Sequence, residues 1–199
     1  MSSIQVATGR IVDVDTIEAW QITIEDIAHS LSNLCRFTGH TKSFYSVAEH
    51  SVLASKNVQQ FLPKAEEWDS PIEYEAGVRA AQKMALLHDA HEAYVGDIAR
   101  PMRGKFRGLV EYKNRIDEQI YMRFGLAMSQ RWAKDIGEAV AAVDAALLST
   151  EKEKVLSVNV PWPGELAKPL DIHIAMLLPH DAKAHFLCCF KSLWCEGVA

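Results

Sequence analysis

The dipeptide His88-Asp89 is the feature of the chain that most constrains its fold. It ends an apolar stretch, in the sequence Met84-Ala-Leu-Leu-His-Asp-Ala-His-Glu92, and this pattern predicts a buried helix. An imidazole and a carboxylate are costly to remove from water unless a cation compensates them. The fold must therefore bury this pair together with a partner, and a bound metal ion would be a suitable one.

Two further segments place a metal-competent side chain on the apolar side of a predicted helix, namely His50 and Asp144. The apolar positions that define the two faces are Val47, Ala54, Val58 and Phe61 around His50, and Ile136, Val140 and Leu147 around Asp144. With His88 and Asp89 they form a set of two imidazoles and two carboxylates. Such a set can hold one divalent transition metal (Zn, Co, Mn, Fe or Ni) and leaves positions open for water and a phosphate oxygen. Alternatively, each residue taken alone could be an ordinary core histidine or a capping carboxylate.

Longer motifs around these residues are similar to those of the HD-domain phosphohydrolase superfamily. The string His88-Asp-Ala-His-Glu-Ala-Tyr-Val-Gly-Asp-Ile98 resembles the HD-x-x-E-x-x-x-G-D segment of bacterial 5'-deoxynucleotidases and phage deoxynucleotide triphosphohydrolases. Upstream, Arg36-Phe-Thr-Gly39 and Tyr45-Ser-Val-Ala-Glu-His50 resemble elements of the small phage-type members, and residues 179–190 resemble their closing helix. The resemblance covers most of the chain and implies an HD-type helical bundle that binds a nucleotide.

Acidic residues after the His-Asp pair are the candidates for proton transfer. Glu92 follows His88 by four residues and Asp89 by three, so one helix would present all three on the same face. A carboxylate beside the metal could accept a proton from water, although Glu92 could also be a solvated helix residue. The resemblance marks Asp97 as a further catalytic residue, and capping of the turn after Gly96 is the alternative. His91 could approach a leaving phosphate, but we expect it to face solvent.

Basic residues are the candidates for binding phosphate. The resemblance implies that Arg36 contacts a substrate phosphate beside the metal; bracing of the preceding helix is the alternative. Phe37 follows it directly and could form a wall for the base, or serve as a core residue. The segment 100–115 contains six basic residues and one acid, and could attract a polyphosphate. Within it, Lys105 and Lys113 are the candidate contacts; a solvated charged face is the alternative.

Length, charge and pattern indicate an all-α bundle, with residues 1–199 as a single domain. The net charge of −5 argues against a stable nucleic-acid partner. No apolar run approaches the roughly 20 residues of a membrane span, and no signal-peptide pattern is present. We therefore expect a cytoplasmic protein with reduced cysteines, and the resemblance adds the expectation of a homo-oligomer.

Local signals predict where the elements begin and end. The first residues, from Ile4 to Val14, favour a hairpin around Thr8-Gly9. The predicted helices run from a Thr23 cap to about Leu34, from a Ser46 cap onward, from about Glu75 to Tyr94, from about Leu109 to Gly125, from a Ser129 cap through Asp144, and from an Asp181 cap onward.

The function that these features imply is hydrolysis of a deoxynucleoside triphosphate, dATP being the best match, to a deoxynucleoside and triphosphate. A 5'-deoxynucleotidase acting on monophosphates is the alternative within the same chemistry, and the number of basic residues in 100–115 favours the triphosphate. A nucleotide-sensing HD protein is the non-enzymatic alternative. A single-strand nuclease is disfavoured by the acidic charge.

Overall fold

The computed structural model describes residues 2–126 and 132–195 and is mostly helical, with a two-stranded hairpin at the N-terminus. Strands β1 (Ser3–Gln5) and β2 (Ile11–Asp13) are antiparallel and place Ile4 opposite Val12. The helices are α1 (Ile24–Asn33), α2 (Val47–Asn57), α3 (Pro71–Leu87), α4 (Glu92–Val95), α5 (Arg100–Arg103), α6 (Leu109–Phe124), α7 (Ala133–Lys154) and α8 (Pro179–Trp194). The predicted fold class and the hairpin are confirmed.

Helices α1 and α2 begin where the capping signals predict. The Thr23 hydroxyl accepts the amide N–H of Asp26 at 3.3 Å, and the Ser46 hydroxyl accepts that of Glu49 at 3.1 Å. The carboxylate of Glu49 does not return to the start of its helix. It accepts backbone N–H groups from all three residues of the segment 175–177, so it anchors the chain that leads into α8.

Helix α2 lies at the centre of the bundle, where it packs against α1, α3, α7 and α8. One core cluster joins the hairpin, α1, α2, α6 and α8, and a second joins α2, α3 and α7. Because α2 contributes to both clusters, most of its side chains are buried, including that of His50. Because the imidazole of His50 is buried, its nitrogen atoms need hydrogen-bonding partners within the core.

The helix before the His-Asp pair differs from the prediction at both ends. It begins at Pro71 with Ser70 as its N-cap, and it ends at Leu87, so that His88 and Asp89 lie in a turn. The turn is tightened by i→i+3 bonds, in which the amide of Ala90 donates to Leu87 and that of Glu92 donates to Asp89, both at 3.0 Å. A short helix then resumes and stops at Gly96, as predicted.

The later helices also confirm some expected ends and correct others. Helix α6 matches its predicted limits and stops at Gly125, whose φ of 65° is left-handed. Helix α8 begins at Pro179 with Leu178 as its N-cap, so Asp181 lies inside the first turn and the predicted cap is wrong. Proline suits the first helical position because its missing N–H would have no helical partner. The predicted cap Ser129 lies outside the described residues.

Among the described residues, no helix combines the length and apolar character that a membrane crossing requires.

Candidate metal centre

The four residues predicted as metal ligands come together from three parts of the bundle. His50 lies in α2, Asp144 in α7, and His88 and Asp89 in the turn after α3. Nε2 of His50 is 3.3 Å from Nε2 of His88 and 3.4 Å from Oδ1 of Asp144. Oδ2 of Asp89 is 3.2 Å from Nε2 of His88 and 3.8 Å from Nε2 of His50. The four side chains therefore lie close together, and the three whose possible ligand atoms are all within 4.8 Å of one another are His50, His88 and Asp144.

The hydrogen bonds of the two histidines fix which ring nitrogen is free. Nδ1 of His50 is 2.6 Å from Oε1 of Glu151, and Nδ1 of His88 is 2.7 Å from the carbonyl oxygen of Ala85. A carbonyl or carboxylate oxygen can only accept, so both Nδ1 atoms carry the hydrogen. In the neutral rings the Nε2 lone pairs then face each other across 3.3 Å, and they repel unless a cation lies between them.

The distances within the cluster fit a cation. Ligand atoms about 2.0–2.1 Å from a single ion at tetrahedral angles lie roughly 3.3–3.4 Å apart, close to the separations of His50 from His88 and from Asp144. Nitrogen and oxygen atoms of His50, His88 and Asp144 all lie within 4.8 Å of one another. These side chains could hold a metal ion.

The charges of the histidines and carboxylates in the cluster compensate one another. Burial opposes ionisation of Asp144, but a hydrogen bond from His50 and the charges of both histidines hold its pKa below the usual range. Burial and Arg36 oppose protonation of His50, but Glu151 and Asp144 outweigh them and raise its pKa to about 9. A proton on His50 thus takes the place of a cation, and metal binding must displace it.

Glu151 is a site residue that the sequence reasoning missed. Its side chain is fully buried and, besides His50, it accepts hydrogen bonds from the Tyr45 hydroxyl at 2.8 Å and from Nη2 of Arg36 at 2.9 Å. The signal in the sequence was its spacing: Glu151 follows Asp144 by seven residues, or two helical turns on one face. The charged run Glu151-Lys-Glu-Lys154 concealed it, because such runs are usually solvated.

Arg36 lies beside the cluster, as the resemblance implies. Its Nη1 is 3.7 Å from Oδ2 of Asp89, and 11% of its side chain is exposed. Burial alone would lower its pKa, but the carboxylates of Glu151, Asp89 and Asp144 raise it above the usual value. Nε of Arg36 is buried and has no hydrogen-bond partner among the described residues. The guanidinium is therefore charged, and its Nε–H group makes no hydrogen bond to the described residues.

Glu92 lies beside the cluster and is almost fully buried, at 2% exposed. Burial and the charges of Asp89 and Asp97 raise the pKa of Glu92 to about 9. Its Oε1 is 3.6 Å from Nη2 of Arg103, while its Oε2 has no hydrogen-bond partner in the described part of the chain. Burial also raises the pKa of Asp97. A solvated position for Glu92 is thereby excluded, whereas Asp97 is half-buried.

The expectation that His91 faces solvent is wrong. His91 is 4% exposed, and its Nδ1 is 3.2 Å from Oδ1 of Asp117 in α6. Because the chain turns after Leu87 instead of continuing as a regular helix, His91 points inward. Atoms of Asp89, His91 and Glu92 that could bind a metal lie within 4.8 Å of one another, so this side of the cluster is also rich in ligands.

The basic residues of segment 100–115 contact different parts of the fold, some near the ligand cluster and others near the N-terminal hairpin. Nη2 of Arg100 is 3.2 Å from Oδ2 of Asp144, whereas Arg115 donates to the carbonyl of Val14 at 3.0 Å. Lys113 lines a small cavity of about 50 Å³ together with Glu92 and Arg103. Lys105 is exposed, and no side-chain contact joins it to the cluster among the described residues. Only some of the basic residues in 100–115 therefore lie near the cluster.

Phe37 lies near Arg36 and packs beneath a loop of the C-terminal half. Its ring centroid is 5.7 Å from Cζ of Arg36 and 6.3 Å from the ring centroid of Trp162. Its φ of 53° is left-handed, a conformation that is costly for an aromatic residue and needs support from its surroundings. The Phe37 ring thus lies beside the guanidinium, and it also packs against the small core cluster of Tyr45, Val155 and Ile174.

We expect Glu92→Gln to stabilise the metal-free protein at pH 8. The pKa of Glu92 in the fold is about 9 against an ordinary 4.5, so the native state binds more protons between these values and its free energy of unfolding falls as the pH rises. Glutamine does not ionise. Each pH unit between 4.5 and 8 costs the wild type about 1.4 kcal/mol, so the variant should be more stable by about 4–5 kcal/mol at pH 8, or by roughly 10–18 °C in Tm.

Thermal unfolding of both metal-free proteins at pH 5 and pH 8 checks this expectation. At pH 5 the carboxyl of Glu92 is protonated in the fold, and the difference in stability should shrink to about 1 kcal/mol or less, because the pH is then only about half a unit above the ordinary pKa of 4.5. An equal Tm at pH 8 would contradict the raised pKa.

No family model matches the sequence, but two curated proteins are similar over most of their length. Uncharacterized protein YfdR of Escherichia coli strain K12 is 34% identical over 164 residues, which are 82% of this chain and 78% of that protein. An uncharacterized protein of Rhodobacter capsulatus is 32% identical over 152 residues, or 74% of this chain and 70% of that protein. The chain thus belongs to the family of YfdR and its Rhodobacter relative.

Proposed function

We propose that the chain is a metal-dependent nucleotide phosphohydrolase that cleaves deoxynucleoside triphosphates, dATP foremost, to deoxynucleoside and triphosphate. The observation that carries the proposal is the pair of Nε2 atoms of His50 and His88, facing each other at 3.3 Å with the carboxylates of Asp89 and Asp144 beside them. This donor set is suited to one divalent transition metal. Its position next to the charged Arg36 favours a phosphate as the group acted upon.

His50, His88, Asp89 and Asp144 would hold the metal. When bound, a divalent cation supplies a Lewis acid for phosphoryl oxygens and makes water more acidic. Arg36 would donate hydrogen bonds to the same phosphoryl group, since a guanidinium offsets the charge that develops there. Arg100 is 61% exposed, so it is free to leave Asp144 for the outer phosphates.

Glu92 would accept the proton that the attacking water loses. Water attacks the α-phosphorus, the bond from phosphorus to the 5' oxygen breaks, the carboxyl takes the proton of the water, and a proton returns to the 5' oxygen. Burial and the charges of Asp89 and Asp97 raise the pKa of this carboxyl to about 9. A cation nearby would lower that pKa and ionise the carboxyl, which could then accept a proton. The half-buried carboxyl of Asp97 would orient the water or accept a hydrogen bond from a substrate hydroxyl.

Triphosphates are favoured over monophosphates because of the cations around the cluster. Arg36, Arg100, Arg103 and Lys113 border the ligands or Glu92, which is more positive charge than one phosphate requires. A 5'-deoxynucleotidase remains the alternative enzyme, since the same donors could bind a monophosphate. A nucleotide sensor is the non-enzymatic alternative, disfavoured because Glu92 would then be a buried acid with no task.

We expect deoxyadenosine and inorganic triphosphate as the products of dATP. The purified protein, loaded with Mn²⁺ or Co²⁺, is incubated in parallel with dATP and with dAMP, and the products are separated by anion-exchange chromatography. Release of phosphate from dAMP with dATP untouched would move the assignment to 5'-nucleotidase. Binding of dATP without turnover under every metal tested would favour the sensor.

A further inference from the structure

We infer that Glu151 is a positioning residue that holds the metal ligand His50 and the phosphate-binding Arg36 in one fixed arrangement. The part of this inference that concerns His50 stands on the ligand cluster alone. The part that concerns Arg36 rests on the proposed function.

Both carboxylate oxygens of Glu151 are used, and each serves a different part of the site. Oε1 accepts from Nδ1 of His50 at 2.6 Å and from the Tyr45 hydroxyl at 2.8 Å. Oε2 accepts from Nη2 of Arg36 at 2.9 Å. The Glu151 side chain is fully buried, so water cannot replace any of these bonds. The three donors lie between residues 36 and 50, and their side chains converge on Glu151 in α7.

For His50, the bond to Glu151 decides which ring nitrogen can bind a metal. An acceptor at Nδ1 keeps the hydrogen there and turns the lone pair of Nε2 toward His88 and Asp144. Outer partners of this kind orient the ring and strengthen it as a ligand, and their loss typically costs 10- to 100-fold in metal affinity.

For Arg36, the bond to Glu151 fixes the Nη2 edge of the guanidinium, so that Nη1 is the group that faces the ligand cluster. With Nη2 held, Nη1 lies 3.7 Å from Asp89, and Nε has no partner among the residues that the structure describes. A planar donor group with one edge fixed loses less freedom when it binds phosphate than a free arginine would.

Helix α7 connects these roles, because it carries both Asp144 and Glu151 two turns apart. Any shift of α7 along its axis would move a metal ligand and the support of Arg36 together. We therefore expect metal affinity and anion affinity to respond jointly to changes at Glu151.

The test is Glu151→Gln, which preserves size but leaves one carbonyl oxygen in place of two acceptors. Arg36 is permanently charged and takes that oxygen, so the amide N–H₂ turns toward Nδ1 of His50 and favours the wrong tautomer. Co²⁺ titration should show affinity weakened by about 10- to 100-fold, with an altered visible spectrum of the bound ion. Inorganic triphosphate, measured by calorimetry on the Co²⁺-saturated protein, should bind about threefold or more weakly.

The matched control is Tyr45→Phe, which removes the third hydrogen bond of Glu151 but keeps the bonds of Glu151 to His50 and Arg36, and keeps the backbone bond from the Arg36 amide to the Tyr45 carbonyl. It should lower Tm but leave Co²⁺ affinity within about threefold of wild type, as expected for a lost hydrogen bond that orients no ligand. Circular dichroism verifies that both variants are folded. Unchanged Co²⁺ and triphosphate affinities in folded Glu151→Gln would overturn the inference, as would an equal loss of Co²⁺ affinity in Tyr45→Phe.

These measurements need no turnover, so they separate the inference from the proposed function. If Glu151→Gln loses Co²⁺ affinity while wild type hydrolyses no nucleotide, the positioning of His50 stands and the proposed reaction fails. If dATP is hydrolysed and the variant binds Co²⁺ and triphosphate normally, the reaction stands and the inference fails.

Discussion

Replacing His50 or Asp144 with alanine is expected to remove most of the transition metal that the purified protein carries. Each contributes an atom to the shared cluster, at 3.4 Å from the other. Since the loss of an outer partner already costs 10- to 100-fold in metal affinity, the loss of a direct ligand should cost more than about 100-fold. Elemental analysis after dialysis, with about one metal ion expected per wild-type chain, measures the effect.

The matched control for this experiment is His180→Ala, since His180 lies on the surface at the start of α8 with its side chain 93% exposed. Its metal content should equal that of wild type. If the metal content is unchanged in both His50→Ala and Asp144→Ala, the assignment of these residues as ligands is wrong. Loss of metal in the control as well would point to adventitious binding by surface histidines.

The sequence predicted the ligand cluster because each ligand lies on or beside a helix with a clear apolar face. Residue 50 shares a face with Val47 and Ala54, and residue 144 with Val140 and Leu147, so helical periodicity alone indicates that both point inward. What periodicity could not provide is the distance between the helices. The contact of His50 with Asp144 depends on how α2 and α7 pack, and the order of motifs in the resemblance supplied that expectation.

The features that the sequence did not predict have a common physical origin. A local sequence pattern does not show which residues, distant in sequence, will contact a given side chain. Glu151 is buried because its carboxylate meets Arg36, Tyr45 and His50, and such compensation outweighs the polarity of its neighbours in sequence. His91 is buried against Asp117, 26 positions away in α6. The helix expected through the His-Asp pair ends at Leu87, where the ring of His88 bonds to the carbonyl of Ala85.

Replacing Glu92 with glutamine is expected to separate metal binding from chemistry. The variant keeps the size of the side chain and its capacity to form hydrogen bonds, but it can no longer take a proton. A general acid or base contributes about 10²- to 10⁴-fold to a rate, so turnover of dATP at saturating substrate should fall by at least about 10²-fold. Metal content should hardly change, because the proposed ligands are His50, His88, Asp89 and Asp144.

Metal content and turnover measured on one preparation distinguish the possible roles of Glu92. Its carboxyl lies within ligand range of Asp89 and His91, so a substantial loss of metal in Glu92→Gln would make Glu92 a ligand instead of a proton carrier. Turnover near that of wild type with metal retained would leave it no part in the chemistry. A folded variant that keeps its metal and its affinity for dATP but lacks turnover is the expected result, because only the proton transfer has then been removed.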